Sequence, residues 1–247
     1  MKAWVPWVRL TVLVFLLVVV VVPAAYGPIA RRIFPGEPAH IYARVSMVRL
    51  LWQHVVLAGL ATLSATVTGV ALGVMVTRPR GQSLIPLVRD LAALAQTVPP
   101  VAVLVLAVPV LGFGTAPTVL ALFLFSVLPI LGNTVTGLQQ VDPTLLEAST
   151  GMGMRDWRRL LVTELPLAAP VILAGVRTAA IISVGTATIG ATIGAGGLGV
   201  VIIAGLVRDN LSFITAGALA SAALALIVDW FFGRAAARLI RVQQGGP

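Results

Sequence analysis

The sequence predicts an all-α membrane protein with about six transmembrane helices, and three observations carry that prediction. First, the 247 residues are 59% hydrophobic and only 10% charged, against about 25% charged in an average soluble domain. A soluble fold of this composition would expose far too much apolar surface. Second, the charged residues are spaced so that long stretches lack them altogether: 10–30, 50–77, 91–141, 178–207 and 210–228 contain no Asp, Glu, Lys or Arg. Third, these stretches lack the strict apolar–polar alternation of a barrel strand, so helices must satisfy their backbone groups in lipid.

A helix needs about 20 apolar residues to cross the hydrocarbon core. The stretch 91–141 is long enough for two, and "GFGTAP" at 112–117 is the natural break. Six spans result, near 8–27, 52–76, 88–110, 117–138, 167–192 and 211–232. The first, "KAWVPWVRLTVLVFLLVVVVVPAAYG", also has the basic start, apolar centre and small residues of a signal peptide, so retention and cleavage both stand. In the second, Ala61, Ala65, Gly69 and Gly73 recur every four residues and make one face smooth enough for a close neighbour. Thr186, Gly190 and Gly194 repeat that arrangement.

Basic residues set the orientation. With both termini inside, the inner segments hold eleven Lys and Arg residues and the outer segments five (Arg31, Arg32, Arg44, Arg49 and Arg208), Arg177 being left out because it lies within a span. The positive-inside bias therefore places the N- and C-termini and residues 139–166 in the cytoplasm. Sixteen of the 17 basic residues are Arg, and they flank spans rather than form a face with interleaved aromatics, so the net charge of +9 is no nucleic-acid footprint.

Several chemistries are excluded. Cysteine is absent, which removes disulfides, thiolate catalysis and thiolate metal sites. Two His at unrelated positions suggest no metal site and no catalytic set. The only Lys is Lys2, so no P-loop lysine exists and ATP work belongs to another polypeptide. Asp90, Asp209 and Asp229 lie at or near span ends, leaving the midplane without the carboxylates of an ion-coupled secondary transporter. His54 reads as an interfacial or packed histidine. Arg177 stands about 15 Å into the fifth span; it is either a functional intramembrane charge or a snorkelling or structurally paired one.

The remaining charged segment, "EASTGMGMRDWRRLLVTELP", runs from Glu147 to Pro166. Asp142-Pro143 starts a helix with an Asp cap and Pro at the first position. Gly151 and Gly153 permit a tight turn. Met154, Trp157 and Leu161 then fall at i, i+3 and i+7 on one apolar stripe, leaving Arg155, Arg158 and Arg159 to another face, and Pro166 and Pro170 punctuate the start of the fifth span. A helix–turn–helix at the membrane surface suits docking into a groove of a soluble partner; a passive helix lying on lipid is the alternative.

This segment resembles the EAA loop of permease subunits of binding-protein-dependent ABC importers. Glu147, Ala148, Gly153, Leu165 and Pro166 match that pattern, whereas Ser149 replaces its third Ala and Thr163 its usual Ile or Val. The resemblance runs from about Leu51 to Arg241. "AQTVPPVAVLVLAVPVLGFGTAPTVLALFLFSVLPILGNTVTGL" and "GVRTAAIISVGTATIGATIGAGGLG" are similar to the osmoprotectant, or glycine betaine/carnitine/choline, branch. It implies the type I importer (MetI-like) fold, with 1–50 as an extra N-terminal helix and extracytoplasmic connector, 51–241 as the permease core and 242–247 as a tail. It further implies a bacterial inner-membrane location, no cofactor on this chain, ATP-Mg on a separate ATPase subunit, an extracytoplasmic substrate-binding protein, and a second permease subunit, identical or paralogous. Glu147, Ala148, Gly151, Gly153, Met154, Arg155 and Trp157 would then contact the ATPase. Arg177 and the glycines of "GAGGLG" (Gly194, Gly196, Gly197, Gly199) would lie along the path or its outer gate. An importer of another organic solute, such as an amino acid, is the near alternative, and an ion-coupled secondary transporter the distant one.

Overall fold

The computed structural model of the chain describes residues 5–95 and 97–243, so Lys2 and the end of the 242–247 tail lie outside the described residues. Every regular element among the described residues is helical. In order these are α1 (Val5–Val21), α2 (Pro23–Ile33), α3 (Met47–Thr77), α4 (Ile85–Ala95), α5 (Pro100–Leu111), α6 (Thr115–Gln139), α7 (Pro143–Gly151), α8 (Asp156–Arg159), α9 (Leu165–Gly190), α10 (Gly199–Arg208) and α11 (Leu211–Gln243).

By length and composition, four unbroken helical stretches among the described residues can cross a membrane: Met47–Thr77, Thr115–Gln139, Asp156–Ile193 and Leu211–Arg241. A fifth forms if the bent pair Trp7–Val21 and Pro23–Ile33 counts as one span. The count falls short of six because prolines break two of the expected segments. Pro disfavours helical conformation in the residue before it. Val22, before Pro23, is extended at φ −89°, ψ 111°, and the chain turns by 84° there, inside the expected span 8–27. Pro99, before Pro100, is extended at φ −63°, ψ 132°. The expected span 88–110 is therefore split into α4 and α5. The 12 residues of α5 reach about 18 Å, short of the roughly 30 Å hydrocarbon core.

The outer connection after the fifth span contains α10. The second helix of the charged loop does not stop before Pro166. It continues through a π-helical stretch, Leu160–Glu164, into α9, giving a single apolar rod of 38 residues from Asp156 to Ile193.

The chain packs as two compact units. The first comprises residues 1–61, 99–123 and 180–230. Its core joins Leu50 of α3, Leu198 and Val201 around the start of α10, and Phe213 of α11 to Val20 and Val21 of α1. The N-terminal segment is thus part of this core. Tyr26 Oη donates to the Ser212 carbonyl at 2.7 Å, and Asn210 Nδ2 donates to the Ala39 carbonyl at 2.8 Å. The Glu37 carboxylate accepts from Leu211 N–H at 2.8 Å, capping the start of α11.

The second unit comprises residues 62–98, 124–179 and 231–247. Here α3 and α6 lie in direct backbone approach. A Cβ at Gly73 would come within 2.5 Å of Thr134, so the small-residue face of α3 packs against α6 only because Gly presents no side chain. Val76, Val88, Leu131 and Val135 fill the space beside that contact.

Candidate functional site

In the second unit the charged loop is built from short-range rules. Asp142 is extended at φ −57°, ψ 122°, and its Oδ1 accepts from Thr144 N–H at 2.8 Å, with Pro143 at the first helical position of α7. α7 closes with Met152 N–H on the Ala148 carbonyl at 3.0 Å and Gly153 N–H on Thr150 at 2.9 Å. Gly153 then takes φ +75°, a left-handed conformation that a Cβ disfavours. Arg155 is extended and leads into α8.

Glu147, Ala148, Gly151, Gly153, Arg155 and Trp157 are all exposed, and Met154 is half-buried in the turn. Met152 is 69% and Trp157 61% exposed, and Leu145, Leu161 and Val162 are exposed beside them in sequence. The expected Met154–Trp157–Leu161 stripe is not one continuous helical face, because Met154 precedes the first helical residue, Asp156, and Leu161 lies in the π-helical stretch. Arg158 is exposed, but Arg159 is turned inward.

Arg159 belongs to an ion cluster that helical spacing did not reveal. Glu164 is only 4% exposed. Arg78, one residue beyond α3, holds its carboxylate with both terminal nitrogens, Nη2 to Oε2 at 2.5 Å and Nη1 to Oε1 at 3.3 Å. Arg159 Nε donates to Oε1 at 3.0 Å, and Arg159 Nη1 reaches Thr150 Oγ1 of α7 at 3.0 Å. Asp156 adds an exposed contact to Arg159 at 3.3 Å. Glu164 lies just ahead of α9, within the helical stretch Asp156–Ile193.

Arg177 is half-buried midway along α9 in the same unit. Its guanidinium lies against α11, 3.5 Å from where a Cβ on Gly233 would sit.

The glycine segment belongs to the first unit. Gly194, Gly196 and Gly197 have φ of +83°, +85° and +80°. A Cβ on Gly199 would sit 2.0 Å from the Thr188 carbonyl oxygen. Two polar residues of α3 fasten this turn: Gln53 Oε1 accepts from Gly197 N–H at 3.3 Å, and His54 Nδ1 accepts from Leu198 N–H at 3.3 Å. His54 Nε2, which then carries the proton, donates to the Val184 carbonyl at 2.9 Å. His54 is completely buried, so it is the packed histidine of the two readings the sequence allowed. The adjacent polar pair Gln53-His54 inside an apolar span was the available signal. Among the described residues no group of three or more His, Asp or Glu side chains gathers to hold a metal.

Comparison with known proteins adds independent information. Residues 69–241 match the family described as binding-protein-dependent transport system inner membrane component. The carnitine transport permease protein OpuCD of Listeria monocytogenes is 40% identical over 183 residues, covering 74% of this chain and 81% of that protein. The osmoprotectant import permease protein OsmW of Salmonella typhimurium is 40% identical over 193 residues, covering 76% and 89%. The glycine betaine/carnitine/choline transport system permease protein OpuCB of Bacillus subtilis is 39% identical over 178 residues, covering 72% and 81%. Among solved structures, one of the inward-facing MetNI methionine ABC transporter superposes with a TM-score of 0.68 at 20% identity, covering 78% of this chain and 95% of that one. At that identity the likeness establishes the fold, a type I importer permease. The match across residues 69–241 takes in the charged loop and the glycine segment alike, and the chain belongs to the family of binding-protein-dependent transport system inner membrane components, a transport permease subunit and not an enzyme.

Proposed function

We propose that this chain lines the translocation path of an ABC importer for a quaternary amine of the glycine betaine, carnitine or choline type, and that residues 139–166 dock onto a separate ATPase subunit carrying ATP-Mg. The supporting observation is the exposed apolar set Met152, Trp157 and Leu161 on a firmly capped loop flanked by exposed Arg155 and Arg158. A groove on a soluble partner would bury that set at a fixed position, with Trp and Arg as anchors. Glu147, Ala148, Gly151, Gly153, Met154, Arg155 and Trp157 form the docking surface. The substrate class rests on the relatives, whose names specify carnitine, osmoprotectants, and glycine betaine with carnitine and choline.

In this reading the protein sits in a bacterial inner membrane with both termini in the cytoplasm. Residues 1–50 supply an added helix and outer connector, 51–241 the permease core and 242–247 a tail. A second permease subunit completes the path, and an extracytoplasmic binding protein selects the solute and delivers it to the outer face. Arg177, Gly194, Gly196, Gly197 and Gly199 lie along the path or its gate.

The natural absence of cysteine makes the test clean. A single Cys at Met154 in native membranes is expected to crosslink to an ATPase subunit, and cells are expected to accumulate radiolabelled glycine betaine, carnitine or choline in dependence on this gene. Crosslinks confined to the surface of the chain itself, with the ATPase present, would refute the docking role. Loss of uptake on collapsing the membrane potential at constant ATP would replace the importer with an ion-coupled transporter.

A further inference from the structure

The ion cluster around Glu164 has a geometry that an α-helix could not give. In an α-helix, residues five apart point about 140° away from each other. Arg159 and Glu164 are five apart, yet their side chains meet at 3.0 Å. They meet because the intervening turn is π-helical, with Leu165 N–H bonded to the Leu160 carbonyl five residues back. Pro166 accounts for the widening. It has no N–H for the Val162 carbonyl, and its ring crowds that carbonyl, so a regular turn is disfavoured there. Single π-helical turns inside α-helices are rare and frequently found at functional sites.

The cluster joins three elements. Arg78 directly follows α3, Glu164 directly precedes α9, and Arg159 is bonded to both Glu164 and Thr150 of α7. A buried ion group is a weak way to gain stability, because well-packed apolar residues of similar volume often do as well. What a two-pronged guanidinium–carboxylate contact supplies is fixed relative geometry. The other contacts around the end of α3 described above are apolar, Val76 packing with Val88, Leu131 and Val135, and such contacts can slide.

We infer that Arg78, Glu164 and Arg159 form a rigid link that transmits displacement of the docking segment 143–159 to the ends of α3 and α9, with Glu164 as the central positioning residue. The inference rests on the docking reading above. Arg78 lies outside residues 139–166, and Arg159 and Glu164 are turned inward within them, behind the residues proposed to touch the ATPase.

The test uses the assembled transporter in membrane vesicles, with uptake followed for whichever of glycine betaine, carnitine and choline the wild-type complex accumulates fastest. Glu164→Gln keeps the side-chain shape and removes the charge. The expected result is normal abundance, an unchanged crosslink from a Cys at Met154 to the ATPase, continued ATP hydrolysis, and uptake reduced at least tenfold. Arg78→Lys keeps the charge but loses the fork, and is expected to reduce uptake severalfold with hydrolysis retained. If Glu164→Gln fails to accumulate, Arg78→Lys decides by the same readings. Uptake within twofold of wild type in the accumulating variants overturns the link. So does loss of the crosslink, since the cluster would then shape the docking surface and not act behind it. Absence of the crosslink in the Met154→Cys parent alone, with the ATPase present, would bring down the docking reading, an outcome visible before any cluster variant is made.

Discussion

Ser149 Oγ and Thr163 Oγ1 lie 3.3 Å apart, joining α7 to the π-helical turn that precedes α9. These are the two positions at which the loop departs from the apolar residues of the EAA pattern, so the departures face each other. Ser149 donates its own hydrogen to the Leu145 carbonyl at 2.7 Å, which leaves its oxygen to accept from Thr163. Removing Ser149 takes away the acceptor of the Thr163 hydroxyl, removing Thr163 leaves Ser149 with its bond to Leu145 alone, and removing both leaves an apolar contact. Ser149→Ala and Thr163→Val should each destabilise the protein by about 1 kcal/mol, and the double variant by less than their sum. Thermal denaturation of the four proteins in detergent would measure the coupling; strict additivity would show that the hydroxyls do not interact.

Gly153→Asp should leave abundance near normal and abolish uptake. The position has φ +75° with open space around it, and Asp is among the residues that tolerate left-handed backbone, at a cost of about 1–2 kcal/mol. The new charge falls on the surface proposed to enter the ATPase. Immunoblotting of membranes beside an uptake assay separates the two effects, and normal uptake would remove Gly153 from the docking role.

Arg177→Ala should lower abundance or uptake severalfold, because a half-buried guanidinium midway along an apolar helix has a structural or functional partner by default. Arg177→Lys tests the same site with charge retained. Normal abundance and uptake in the Ala variant would mean that the side chain only snorkels.

The N-terminal helices should be retained in the mature protein. Val20 and Val21 pack with Leu198 and Phe213, and Tyr26 satisfies the Ser212 carbonyl. Intact-mass measurement of the purified chain should therefore include residues 5–46. Tyr26→Phe should cost about 1 kcal/mol for the lost hydrogen bond, read as a small drop in melting temperature. A mature chain beginning after Gly27 would contradict both expectations.

The sequence by itself determined the class of protein, its family and the frame of the charged loop. Each depends on local or one-dimensional information: charge-free runs measured against bilayer thickness, Asp142-Pro143 as a helix start, Gly153 at a left-handed turn, and a motif of fixed spacing. Prolines 23 and 100 were also legible, and their effect on the residue before them accounts for the two broken spans, but apolar length outweighed them in the span count. Only the tertiary structure decided the rest. Arg78 meets Glu164 across 86 residues of chain, and no periodicity links them. Arg159 meets Glu164 at a spacing that regular helices place on different faces, because one π-helical turn rotates them together. His54 read as an unremarkable histidine near a helix start until folding brought the backbone of Leu198 and Val184 to its two ring nitrogens. Hydrophobic length and local turn chemistry are written along the chain; partners for polar groups buried among helices are chosen by packing, which the order of residues does not display.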